Sequence, residues 1–203
     1  MKIVNTFVPT LLVSIILGLC STASALVEVR AGYGILNSKP DLVSFYSGSF
    51  PTAAPNAGLT VDAIVTIPLV GLGGGLRMEN MNIKYDNDTL GIENKLNRTS
   101  LIVNYRLLNT LVYLGPIFTM GLNHTNSIKI RAAGSEVSNI SSSKVTSYTA
   151  GLEGGASLLG FMVGAEVGTM NMKYNDAKDS VSNVVHDLDM SGNYMKIFVG
   201  FGI

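Results

Sequence analysis

The segment Met195–Ile203 reads MKIFVGFGI, and the alternation within it decides the fold class. Apolar side chains occupy every second position, at Met195, Ile197, Val199, Phe201 and Ile203. The positions between them hold a lysine, a phenylalanine and two glycines. A period of two predicts a β-strand whose two faces meet different surroundings. Because chain termini fray unless they are tied down, we expect this strand to be paired within a sheet.

Residues 1–25 predict a secretory signal peptide. Lys2 precedes an apolar stretch, and a small-x-small site at Ala23-Ser24-Ala25 follows it. A membrane anchor is the alternative, but the apolar stretch is shorter than the ~20 residues that a spanning helix needs. We expect cleavage after Ala25, which leaves residues 26–203 as one domain. The only cysteine, Cys20, would leave with the signal, so the mature chain is expected to lack disulfides.

Composition and charge restrict the class of protein. Hydrophobic residues make up 47% of the chain and charged residues only 14%, with 22 glycines and no tryptophan. Loss of Lys2 leaves thirteen basic residues against fourteen acidic ones, which gives no electrostatic case for binding nucleic acid. No later apolar run is long enough for a spanning helix. A closed β-barrel is the other structure that satisfies its backbone hydrogen bonds within lipid, and we predict one here.

The spacing of the alternating segments predicts how many strands the barrel has. Tight turns at Val70-Gly71, Asn109-Thr110 and Leu159-Gly160 alternate with long polar loops rich in Asn, Ser, Asp and Lys. Short connections that alternate with long ones are typical of an all-β, transmembrane, eight-stranded antiparallel up-and-down barrel. The eight segments are Leu26–Leu36, Gly58–Leu69, Leu72–Tyr85, Arg98–Leu108, Leu111–Asn123, Lys144–Leu158, Phe161–Lys173 and Ser191–Ile203.

Over residues 26–203 this topology resembles the small bacterial outer-membrane proteins of the OmpA-barrel, OmpX and opacity-protein type. The resemblance implies a monomer in the outer membrane, in contact with membrane lipid and lipopolysaccharide. It also implies assembly by the barrel-assembly machinery, which reads an alternating C-terminal strand. Those families often end on Phe, whereas this chain has Ile203.

One face of the segments is uncharged, and the other carries charges among glycines. A solvated exterior would be rich in Lys, Glu and Gln with few glycines, so a lipocalin-like soluble barrel is disfavoured. We predict that the charged face points inward as a network of charge-assisted hydrogen bonds, with a hydrated lumen as the alternative. The predicted network comprises Glu28, Arg30, Asp62, Arg77, Glu79, Arg106, Glu153, Glu166 and Lys196.

The interior of an eight-stranded barrel is just wide enough for side chains to fill it, so we expect this one to be largely plugged. We therefore predict a structural role, or surface binding and adhesion through the loops, where Phe45, Tyr46 and Phe50 are contact candidates. A narrow small-solute pore is an alternative.

A lipid-modifying outer-membrane enzyme is the less favoured alternative. Deacylase-type barrels place a serine two residues after a histidine, but here Asn126 follows His124 at that spacing, and the other histidine is His186. We expect neither catalysis nor a cofactor or metal.

Overall fold

The computed structural model describes residues 26–38, 56–67, 70–86, 90–109 and 111–203. No helix in these ranges is long and apolar enough to cross a membrane. The described residues form eleven β-strands: β1 (Leu26–Ser38), β2 (Asn56–Ile67), β3 (Leu72–Asp86), β4 (Leu90–Tyr105), β5 (Leu108–Asn109), β6 (Val112–Ala132), β7 (Ser135–Ser141), β8 (Lys144–Leu158), β9 (Phe161–Asp179), β10 (Val185–Asp189) and β11 (Gly192–Gly202).

Eight of these strands close into a ring. The order is β1-β2-β3-β4-β6-β8-β9-β11, each neighbour is antiparallel, and β11 pairs with β1 to complete the circle. At the seam, Val27 and Ile203 exchange two backbone hydrogen bonds of 2.7 and 2.9 Å. The predicted eight-stranded antiparallel up-and-down barrel is confirmed, and MKIFVGFGI is the segment that closes it.

Two of the short connections use residues with positive φ. Leu159 (φ 51°) and Gly160 (φ 84°) join β8 to β9, and two such residues in succession match the twist of the flanking strands. Gly71 (φ 73°) plays the same part between β2 and β3. We call this end of the barrel the turn end and the other the loop end.

An apolar band surrounds the outside of the barrel at the turn end. Val29 (54% exposed), Val163 (57%) and Ile197 (61%) are typical of it. Along β11 and the residue after it, the band covers Met195–Ile203, whose eight steps span about 20 Å for strands that rise ~3.3 Å per residue and tilt by about 40°. On β6 it ends at Leu122, above which the outward positions are polar. The height and character of the band match the lipid-facing surface of a transmembrane barrel.

The strands continue beyond this band further than we predicted. β4 begins at Leu90 instead of Arg98, and β6 and β9 reach Ala132 and Asp179. Two segments predicted as loop contain the additional strands β7 and β10. Most of the polar residues that suggested loops are outward positions of β-sheet, and the inward positions between them are mostly apolar, with Asn94, Asn126 and Ser138 as buried polar exceptions.

These extended strands enclose an apolar core at the loop end of the barrel. Its buried residues are Leu36, Met81, Ile92, Leu96, Ile128, Ile130, Ile140, Met170, Met172, Tyr174, Ala177, Leu188, Met190 and Tyr194. Within the band, a small cluster of Ile64, Ile102 and Ile117 is buried among polar neighbours. The barrel interior therefore changes from charged at the turn end to apolar at the loop end.

Candidate functional site

Charged side chains fill the barrel interior within the apolar band. The nine residues of the predicted network all lie there, each at most 5% exposed, because strand alternation directs every one of them inward. Arg98, which we did not predict, is 2% exposed and joins them. The ten residues fall into three groups stacked along the barrel axis.

The group nearest the turn end contains two arginines and two glutamates. Arg30 donates to Glu28 at 2.6 Å and to Glu153 at 2.7 Å. Arg106 reaches the same two carboxylates, at 2.7 Å from Glu28 and 3.7 Å from Glu153. The amide of Asn104 also donates to Glu153. Each carboxylate therefore contacts both guanidinium groups.

The middle group is organised by Arg77. Its guanidinium makes two hydrogen bonds to Asp62, of 2.8 and 3.0 Å, and two to Glu166, of 2.8 and 2.7 Å. The ammonium of Lys196 lies 2.5 Å from Asp62 and 3.8 Å from Glu166. Two acids and two bases thus form a buried quartet. Paired arrangements of this kind are the strongest protein hydrogen bonds, because both partners are charged and the geometry is bidentate.

The group nearest the loop end contains Arg98 and Glu79, which are 2.7 Å apart. Glu79 also accepts a 3.0 Å hydrogen bond from the Tyr194 hydroxyl. Arg98 uses its other donors on hydroxyl oxygens, including Thr119 at 2.8 Å and Ser147 at 2.8 Å. Here the ion pair is completed by neutral hydroxyl groups on neighbouring strands.

The ten charges balance. Glu28, Asp62, Glu79, Glu153 and Glu166 face Arg30, Arg77, Arg98, Arg106 and Lys196, which are five acids against five bases, and every one of them lies within 4 Å of an opposite charge. A signal for Arg98 was present in the sequence. It is spaced from Arg106 by an even number of residues, so the period of two puts both side chains on the same face. With Arg98 included, the face has no net charge.

Glycines make room for the large side chains of this network. A Cβ built on Gly164 would lie 2.5 Å from the Tyr113 hydroxyl oxygen and 2.7 Å from the Phe198 ring, and one built on Gly155 would lie 2.6 Å from the same hydroxyl. The Arg106 guanidinium lies over the Tyr113 ring, 4.4 Å from its centroid. The many glycines on the charged face are thus explained by crowding.

The two histidines lie on strands rather than in loops. His186 is on β10, and His124 is on β6 just above the apolar band. The His124 Nε2 atom lies 2.7 Å from the Ser147 oxygen. Burial, and next the charge of Arg98, lower the pKa of His124 and favour its neutral ring.

Among the described residues no carboxylate hydrogen-bonds the His124 ring, and no cluster of His, Cys, Asp or Glu could hold a metal ion. Phe45, Tyr46 and Phe50, the loop contact candidates, lie outside the described residues, as does the predicted signal peptide.

Comparisons with solved structures agree on the fold. The chain is similar to Ail, the attachment invasion locus protein of Yersinia pestis, at 12% identity and a TM-score of 0.55, over 88% of this chain and 99% of that one. It is equally similar to a major outer membrane protein of Thermus thermophilus, with the same identity, TM-score and coverage. No protein-family model and no curated protein matches the sequence. Fold, apolar band and structural neighbours thus identify a β-barrel of the outer-membrane class.

Proposed function

We propose that this is an integral protein of the bacterial outer membrane with a sealed lumen, which acts in the membrane itself or binds partners through its loop end. The observation that carries this proposal is the filled interior: ten paired charged residues within the band and an apolar core above them. An ion or solute on this path would have to break buried ion pairs and then cross a largely apolar layer. Both steps are costly, which argues against the narrow pore.

The extended sheet at the loop end supports a binding role. Outside the band, the outward faces of β4, β6 and β7 carry charged side chains that pair weakly at the surface, such as Lys129 with Glu136 at 3.2 Å. The strands hold this surface rigidly above the membrane, where a partner could reach it. The similarity to an attachment and invasion protein is one of fold, so the proposed role rests on this chain's own extension. Catalysis is not part of the proposal, because the described His124–Ser147 pair lacks an orienting acid.

Conductance distinguishes a sealed barrel from a pore. The purified protein, refolded and shown by its gel mobility unboiled and boiled to be a closed barrel, is added to a planar lipid bilayer, with a general porin as the positive control. We expect no stable channel. A reproducible unit conductance that disappears when the protein is heat-denatured would overturn the sealed-lumen proposal.

The direction of insertion can be tested by cysteine labelling, since Cys20 is the only cysteine of the sequence. Ser135→Cys lies in the β6–β7 hairpin at the loop end, and Leu159→Cys lies at the turn end, where Leu159 is 88% exposed. In intact cells an impermeant maleimide should label only Ser135→Cys, whereas permeabilised cells should label both. Labelling of Leu159→Cys alone in intact cells would mean that the turn end faces outward.

Lipopolysaccharide, outer-membrane lipid and the barrel-assembly machinery are the partners that this proposal entails, and the monomer is the proposed state. The balanced interior supports the last point, because each described interior charge is paired within one chain. Light scattering of the refolded barrel in micelles tests it, and a mass of two or more chains would contradict it.

A further inference from the structure

A groove interrupts the outer wall of the barrel where the apolar band meets the polar extension. It has a volume of about 300 Å³ and crosses β2, β3, β4 and β6. Its lower part is formed by Leu59, Val61 and Met78, which are 49–69% exposed. Such a groove has one apolar side toward the membrane interior and one side toward the headgroups.

The upper part of the groove is lined by amides and hydroxyls. Asn80 lies directly opposite Asn97 on β3 and β4, and Thr99 lies opposite Asn123 on β4 and β6. The three asparagines are exposed, and within the described part of the chain their side chains make no hydrogen bond to protein. Each amide offers two donors and an acceptor with two lone pairs. Exposed donors and acceptors that do not bond the protein therefore lie side by side where the apolar band ends.

A β-bulge shapes this part of the wall. The pairing of β4 with β6 shifts between Thr99 and Ser100, which pair with Asn123 and Gly121 and leave Leu122 as the extra residue. A bulge bends its strand and increases the local twist. The bend coincides with the groove, because Thr99 and Asn123 belong to both.

The groove contains no exposed charge. Glu79 and Arg98 border it, but their side chains point into the barrel and pair with each other at 2.7 Å, both fully buried. Among the lining residues an anionic headgroup would find no exposed cation, and the neighbouring outward Lys95 is paired with Glu93 at 2.8 Å. A neutral headgroup with several hydroxyls would match the row of amides. The volume of about 300 Å³ is enough for a compact headgroup.

We propose that this groove, which we call the amide groove (Leu59, Val61, Met78, Asn80, Asn97, Thr99, Asn123 and Thr125), binds the neutral sugar headgroup of a glycolipid in the outer leaflet. The sugar hydroxyls exchange hydrogen bonds with the asparagine amides, and the acyl chains lie along Leu59, Val61 and Met78. This inference rests on the proposed membrane insertion with the loop end outward.

The test uses monoglucosyl diacylglycerol as the probe. The barrel is inserted into phosphatidylcholine vesicles that contain a few mole per cent of the probe, and its unboiled gel mobility is checked in the same sample. After extraction, native mass spectrometry counts the lipids that remain bound. We expect the parent protein to retain the glucosyl lipid in preference to phosphatidylcholine. Equal retention of the two lipids by an inserted barrel would overturn the amide groove alone, whereas failure to insert would count against the proposed function.

Variants locate the site. In Asn97→Ala/Asn123→Ala, the loss of about two hydrogen bonds should weaken retention of the glucosyl lipid by about tenfold. The matched control is Asn171→Ala/Asn193→Ala, whose side chains occupy outward positions of β9 and β11, outside the groove. The control should retain the lipid as the parent does. If the two double variants behave alike, the preference arises from some other surface and the proposal is wrong; the parent's lipid preference remains a test even if a variant fails to fold.

Discussion

Replacing Arg77 by methionine should be among the most damaging single changes in the barrel wall. The guanidinium makes four hydrogen bonds, two to Asp62 and two to Glu166, and all three side chains are buried. Methionine fills a similar volume but leaves two carboxylates that share one cation, Lys196. Breaking a buried pair by removing one partner costs about 3–5 kcal/mol, because an uncompensated charge remains. We expect Arg77→Met to destabilise the folded barrel by that amount.

The double variant Arg77→Met/Glu166→Gln isolates the electrostatic part of this cost. Removing the charge of Glu166 leaves the ion pair of Asp62 with Lys196 at 2.5 Å, so the middle group is again neutral. The double variant should therefore be more stable than Arg77→Met alone, although it lacks one further native side chain. Recovery on removal of a second partner is the signature of a paired network, and a hydrated lumen would not show it.

The measurement is equilibrium unfolding by urea from lipid vesicles, followed by far-ultraviolet circular dichroism and by the mobility of unboiled samples on gels. Circular dichroism is the suitable probe because the chain has no tryptophan. Lys129→Met is the control, since it breaks only the partly exposed pair with Glu136 and should leave the midpoint unchanged. A loss below about 1 kcal/mol for Arg77→Met, with no recovery in the double variant, would refute the network and favour water as the partner of these charges.

Three further predictions concern crowding and pH. Gly164→Ala should destabilise the barrel by about 1–3 kcal/mol because its Cβ meets the Tyr113 hydroxyl at 2.5 Å, whereas Gly74→Ala, with only a carbonyl oxygen at 3.9 Å, should not; equal midpoints in urea would contradict this. Burial alone would raise the pKa of Asp179, but hydrogen bonds from neighbouring hydroxyl and backbone donors lower it, so below about pH 4 the contact of β9 with β7 should weaken. The measurement is amide exchange corrected for its intrinsic rate: β7 should show lower protection factors at pH 3 than at pH 6, and Asp179→Ala should show the lower values already at pH 6. Since the pKa of His124 is lowered by burial and by a nearby guanidinium, stability should fall as the pH drops below about 6.5, and less so in His124→Gln; parallel pH profiles of the two proteins would disprove that assignment.

Much of the fold could be predicted from the two-residue alternation of the strands alone. A period of two fixes which side chains share a face, and turn residues such as Leu159-Gly160 fix where a strand reverses. The inward position of Lys196 and its eight predicted companions follows from these two rules. The alternation does not predict which acid forms an ion pair with which base. Arg77 contacts Glu166 across the lumen, 89 positions along the chain, and only the closed ring with its register brings them together.

The extension at the loop end could not be predicted in the same way, because its alternation is reversed. In the band, apolar side chains mark the outer face, whereas in the extension Ile128 and Ile130 face inward and Lys129 faces outward. Our prediction assumed that the apolar residues of each strand face lipid, so it assigned the polar residues between such isoleucines to loops. A search for alternation of either sign would have found the upper parts of β4 and β6, but not β7, whose apolar residues Val137 and Ile140 are three positions apart.

The reversal follows from what surrounds the barrel at each height. Within lipid, burying an apolar side chain inside the barrel gains little, because the outside is equally apolar, and cohesion of the interior comes from hydrogen bonds and ion pairs. Above the lipid, water surrounds the wall, and the hydrophobic effect favours an apolar interior. The change occurs at one level on separate strands. On β11, Lys196 faces inward beside outward Met195, and one step higher Tyr194 faces inward beside outward Asn193. One closed sheet therefore has two interiors stabilised by different forces. We expect the lumen to stay closed at both heights, because breaking an ion pair in the charged part leaves the apolar core above it intact.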